Sequence, residues 1–237
     1  MSQAKLFVIV TRDNASTNDV RTVVEQTRDL GAIVTHVPTS TEEWPRDHLP
    51  RTLFAPPQFG NASAILECWT STDAGAAFSA LSESTAAADL GPLAGYVVEE
   101  HLVLDGRDSG PDALKMISIG RRNPQLSSAA AALHWRHVHA PLAVRHHVGM
   151  SRYVQNIVMQ RLGAASRDVD FIAELSFDST ADFVDRFYDS PEGRRIIAAD
   201  AIKFAGGGDT HFCVELADES RGCLIVPQLD DVIQQEG

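Results

Sequence analysis

Cysteine is scarce in this chain, with three in 237 residues, at positions 68, 213 and 223. They are odd in number, scattered and form no CxxC pair, which argues against a disulfide framework or a structural zinc site and leaves free thiols. Cys68 and Cys213 fall in strand-like runs and are expected to pack there. Positive charge is also short. Twenty Lys and Arg face 32 Asp and Glu, a formal net charge of −12, so a nucleic acid or an anionic membrane would be repelled on approach. No apolar run approaches the roughly 18 residues of a membrane span. The opening MSQAKLFVIV has no basic n-region followed by a sustained apolar run and a small-residue cleavage site. These absences give the expectation of a cytoplasmic protein with no nucleic-acid and no membrane partner. Its expected ligand is a small neutral or aromatic molecule.

What is present is ordinary globular material, 44% hydrophobic and 22% charged, in a chain long enough for one large domain or two small ones. Repetition favours two. Residues 5–10 are a short β-branched run typical of a strand. Residues 14–30 place Val20, Val23, Val24 and Leu30 at helical spacing, with Asn14 or Ser16 as cap and Gly31 as stop. Residues 32–37 read as a second strand. After a proline-punctuated loop come a strand at 62–70, an alanine-rich helix at 73–89 and a strand at 95–104, the βαββαβ order of a ferredoxin-like unit.

The order then recurs. Residues 115–119, 151–158, 171–177 and 211–216 read as strands and 126–138 as a helix. Residues 179–204 read as helical, restarting at Ser190-Pro191. Residues match across the two copies in the same order: Lys5 with Lys115, Ile9 with Ile119, Ile65-x-Glu67 with Ile172-x-Glu174, Ser71-Thr72 with Ser179-Thr180 and Glu99 with Glu215. Glycines 206–208 lack the Lys-Ser/Thr helix of a phosphate loop and read as a flexible lead into the last strand. The expected division is a first repeat over 1–104, a linker DGRDSGP over 105–111, a second repeat over 112–220 and a tail over 221–237. The fold class is α+β. Two tandem ferredoxin-like units bury their bare sheet faces by closing on each other into an intramolecular α/β-barrel.

One feature belongs to the second copy alone. Residues 134–141 read HWRHVHAP, and a segment around 138–145 has no counterpart in the first copy. As a metal site the cluster is awkward, because His134 and His137 could share a helix face but His139 lies further round, no carboxylate is near in sequence and HExxH is absent. No metal is expected. His139 fits a general base better, since a neutral imidazole exchanges protons near pH 7 and Pro141 stiffens the chain beside it. His134 and His137 read first as helix-surface residues favoured by the C-terminal dipole. In the strand at 151–158, alternation puts Tyr153 and Gln155 on one face and Arg152, Val154 and Asn156 on the other. Which face looks inward is left open.

The run His139-Ala140-Pro141, then Gly149-Met150, then Arg152-Tyr153-Val154-Gln155-Asn156 resembles the signature of the EthD family of dimeric α/β-barrel proteins. Ser190-Pro191-Glu192 and Asp200 resemble the family's closing helix. The resemblance covers about 112–217. The first copy lacks the His-x-Pro, its nearest histidines being His36 and His48, and reads as a degenerate partner. The resemblance implies a small apolar cavity between sheet and helices and proton-transfer chemistry without a cofactor: isomerisation, dehydration, decarboxylation or cyclisation of a small hydrophobic or aromatic carbonyl compound. In that reading His139 is the acid or base, Tyr153 polarises an oxygen and Asp200 fixes the imidazole tautomer. Asn156, Arg152, Gln155 and His137 contact the substrate. The alternatives are an oxidoreductase or monooxygenase, an accessory protein of an oxygenase system, or a non-catalytic ligand-binding protein. A homodimer is compatible with each.

Overall fold

The computed structural model describes residues 4–11, 17–45, 47, 49–54, 62–71, 73–87, 89–106 and 113–215. His48, Cys223, most of the expected linker and the tail lie outside them. The strands β1 (Ala4–Val10), β2 (Ala32–Pro38), β3 (Ala64–Thr70) and β4 (Leu93–Leu104) come from the first half, with helices α1 (Thr17–Gln26) and α2 (Ala74–Ala87) between them. The second half supplies β5 (Leu114–Arg122), α3 (Ser128–His134), a π turn (Trp135–His139), α4 (Ala140–His146), β6 (Met150–Leu162), β7 (Phe171–Phe177), α5 (Thr180–Arg186), α6 (Pro191–Phe204) and β8 (Ala205–Glu215).

The eight strands close into one antiparallel barrel in the order β1-β3-β2-β8-β5-β7-β6-β4. Within each half the order is the same, fourth-first-third-second, and the halves join edge to edge. β4 runs along β6 from Gly95↔Leu162 to Leu104↔Tyr153. β2 meets β8 only at His36↔Glu215, Val37↔Val214 and Pro38↔Cys213. Closure removes the free sheet edges that an open four-stranded unit would expose. No described helix is long and apolar enough to cross a membrane.

Burial follows from alternation along the strands. Leu6, Val8, Leu66 and Cys68 point outward and are covered by Val20, Val23, Ala77 and Leu81 of α1 and α2. Leu114, Met116, Tyr153, Leu175 and Phe177 are covered by Ala140, Ala143, Phe183, Phe187 and Ile197. Phe7, Ile9, Ile65, Tyr96, Ile117, Ile119, Ile172 and Cys213 fill one half of the barrel axis. Both described cysteines are buried free thiols.

Two elements differ from the sequence reading, and a third agrees with it. The helix expected to stop at 138 continues through Pro141 to His146, so the inserted segment is helical. Pro141 is tolerated because it sits at the first turn of α4, after the π turn has changed the hydrogen-bond register. The helical region 179–204 restarts at Ser190-Pro191 as read, giving two helices capped by Ser179 and Ser190, whose side chains accept from the amides of Asp182 and Gly193. Glycines 206–208 are part of β8, with Gly208 paired to Gly120 and Ala205 to Arg122. A side chain at 208 would lie 2.1 Å from the carbonyl oxygen of Ile119, so glycine there permits close strand packing.

Candidate active site

Two histidines reach one carboxylate across the helix layer. Asp200, on α6 and 2% exposed, takes His134 Nε2 on Oδ1 at 2.9 Å and His139 Nδ1 on Oδ2 at 3.0 Å. In an unbroken α-helix, residues five apart point about 140° away from each other. The π turn changes this. The Ala140 amide bonds to the Trp135 carbonyl, and the wider turn brings residues 134 and 139 to one side. Gln155 Nε2 donates to the same Trp135 carbonyl at 3.0 Å and fastens the turn to the sheet. Phe204 lies against both imidazoles, 4.8 Å from His139 and 5.7 Å from His134 between ring centroids.

Burial alone would raise the Asp200 pKa, but hydrogen bonds from His134 and His139 outweigh it and hold the carboxyl below its ordinary value. The ionised carboxylate accepts, so His139 carries its proton on Nδ1 and leaves Nε2 as a bare lone pair. Burial pushes the His139 pKa down, against the pull of Asp200. The ring is therefore neutral and basic at Nε2, with its side chain 12% exposed.

The other expected site residues are distributed differently. Tyr153 and Gln155 face the helices. Tyr153 accepts from Gln155 Nε2 at 3.0 Å, and burial, against hydrogen bonds from Gln155 and Trp135, pushes its phenol up to about 12. Arg152 and Asn156 lie on the opposite face of β6 and look into the barrel, where Asn156 Nδ2 donates to Glu174 at 2.8 Å. His137 is exposed on the helix surface. The structure brings His139 and Asp200 together, and separates Arg152 and Asn156 from them by the thickness of the sheet. His134, read from sequence as a surface residue, is instead a partner of Asp200. A carboxylate sixty-six positions away gives no local pattern that would reveal it.

His147 adjoins this cluster. Its Nδ1 donates to the Phe187 carbonyl at 2.7 Å and its ring packs 4.4 Å from that of Phe187. Burial pushes its pKa from 6.5 down to about 4. The unfolded chain then binds a proton below pH 6.5 that the fold refuses until about pH 4, so stability is full above that window and lost as pH falls through it. The loss amounts to about 3 kcal/mol. Urea midpoints measured between pH 7 and 4 are expected to fall steadily, and less steeply in His147→Gln.

Sequence reasoning also missed the second half of the barrel axis. Lys5 Nζ sits 2.7 Å from Glu67 and 2.7 Å from Glu174, and contacts Glu100 at 2.5 Å. Lys115 Nζ sits 3.1 Å from Glu67 and 3.2 Å from Glu174. Each glutamate takes a further partner, His36 Nε2 on Glu67 and Asn156 on Glu174. Burial works against the charge of Lys5, but Glu174 and Glu67 dominate and raise its pKa. Glu67 is held low against burial by Lys115 and His36. The repeated Lys and Glu of the two copies are the signal that could have revealed this, since each copy carries them within a largely apolar strand. Around them lies a cavity of about 240 Å³. Its lining is charged, and it lies inside the barrel, not between sheet and helices where the resemblance places a small apolar cavity. Among the described residues no group of three or more His, Cys, Asp or Glu is arranged to hold a metal ion.

Residues 123–208, which include His134, His139, the π turn and Asp200, match the EthD domain family. No curated protein matches the chain. Among solved structures, a candidate monooxygenase of Fusobacterium nucleatum shares 10% identity over 91% of this chain and 92% of its own, with a TM-score of 0.51. An anthrone oxidase-like protein shares 13% over 90% and 92%, also at 0.51. An ethyl tert-butyl ether degradation (EthD) family protein of Bacillus halodurans is 20% identical over 44% of this chain and 99% of its own, with a TM-score of 0.36. The first two show the same fold along nearly the whole chain.

Proposed function

We propose that this chain, a closed α/β-barrel whose second half carries an EthD domain, is a small-molecule oxidoreductase of the monooxygenase kind. It takes a hydrophobic or aromatic carbonyl substrate, and His139 begins the reaction by removing an acidic C–H proton. The observation that carries the reading is the Asp200–His139 pair: a buried carboxylate fixes the Nδ1–H tautomer and leaves Nε2 to act as base. Tyr153, which accepts from Gln155, would give its own O–H to the developing enolate oxygen. The carbanion then reduces molecular oxygen, and no bound cofactor is assigned. The names carried by the two full-length structural neighbours support the oxidative half of the reading.

Anthrone is the first probe, because its methylene is acidified by two rings and a ketone. One anthrone and one oxygen molecule give one anthraquinone and one water. Oxygen uptake matching quinone formation is expected, reduced by about 10²–10⁴-fold in kcat in His139→Ala. Undiminished uptake in that variant would overturn the assignment of the base. Because the His139 pKa is lowered, the acid limb of kcat/KM is expected below pH 6.5. A second reading, proton transfer alone, rests on the same pair. Solvent deuterium appearing in the substrate without oxygen uptake would select it.

A further inference from the structure

We infer that the charged end of the barrel axis is a binding site for a small aliphatic amine, separate from the His139 site and on the other side of the sheet. Every strand contributes to the lining of this cavity of about 240 Å³, which is below the roughly 300 Å³ of a drug-sized pocket. The other end of the same axis is packed with Phe7, Ile65, Ile117 and Ile172. The fold can therefore fill its axis with apolar side chains, and an ionic end is no requirement of closure.

The charge of the lining selects the ligand. Glu67, Glu100, Glu174 and Glu215 face Lys5, Lys115 and Arg152, an excess of one carboxylate. Lys5 is already held by three carboxylates and Lys115 by two. An entering anion meets two lysines already paired with carboxylates, in a protein of net charge −12. A cation meets Glu215, exposed at the strand end and without an ion-pair partner among the described residues. It also meets Trp69, whose ring already lies 4.9 Å from Lys5 Nζ and is oriented to receive a cation.

Register relates the carboxylates of the two halves. Lys5 pairs with Val98 and Lys115 with Cys213, so the residues two further along, Glu100 and Glu215, occupy matched positions in the two halves. The sequence reading had matched Glu99 to Glu215, one residue off. Lys5 already holds Glu100, so Glu215 is the carboxylate left to an incoming ammonium, and the ligand is a monoamine.

The test is calorimetric titration of the whole chain with n-butylamine, with butyrate and 1-butanol as the anionic and neutral counterparts. Binding of the amine alone is expected, weakened about tenfold or more in Glu215→Gln and several-fold in Trp69→Leu. Binding is expected to be unchanged in His139→Ala, which separates this site from the proposed catalytic one. Glu215 is exposed, so the melting temperature of Glu215→Gln should match the parent and exclude misfolding as the cause of any loss. Absence of amine binding, binding of butyrate in its place, or equal affinity in Glu215→Gln would each overturn the inference.

Discussion

Glu174→Leu is expected to cost the fold about 3–5 kcal/mol, because it leaves two buried lysines facing one remaining central carboxylate. Lys5 and Lys115 are 4% and 8% exposed and Glu174 is 3% exposed, so water replaces the lost contacts only in part. Asn156 Nδ2 would lose its carboxylate acceptor at the same time. Replacing all four groups together, as Lys5→Met, Lys115→Met, Glu67→Leu and Glu174→Leu, is expected to recover most of that loss, since desolvating the charges is itself costly and apolar side chains already fill the adjoining layer. Urea denaturation of the parent, the single and the quadruple variants measures both quantities. A single-variant loss below about 1 kcal/mol would show that the lysines are solvated or neutral in the native state.

Asp200→Asn is expected to lower kcat by about 10²–10⁴-fold while leaving the fold intact. The amide keeps the shape of the carboxylate, but its NH2 group can donate where the carboxylate only accepted. Donation to His139 Nδ1 would place the ring proton on Nε2 and remove the base. Loss of the negative charge also removes the interaction that opposes burial at His139, so residual activity should have an acid limb at still lower pH. Steady-state kinetics across pH, with far-UV dichroism as a control for folding, reads both effects. An unchanged kcat would dissociate Asp200 from the chemistry and leave it as a structural partner of the two rings.

The barrel was legible in the sequence because it is written twice. Lys5 with Lys115 and Glu67 with Glu174 match at equivalent register positions, each Lys opposite a residue two from its Glu on the paired strand. The helix cap at Ser190 is a local signal and was equally readable. What escaped was long-range. A lysine at the start of a strand reads as a solvated end, and only closure of the sheet turns such ends inward. Pro141 reads as a helix stop because local rules do not anticipate the π turn before it. Neither His134 nor Asp200 carries a pattern that announces the other, since their meeting depends on how α3 and α6 cross the sheet.

The two seams of the barrel are unequal, a long one between β4 and β6 and a short one between β2 and β8. Each copy thereby finishes the other's hydrogen-bond ladder, and a lone copy would be left with two raw borders. The front half, which has no His-x-Pro, closes the barrel and supplies Lys5 and Glu67, half of the charged knot at the centre.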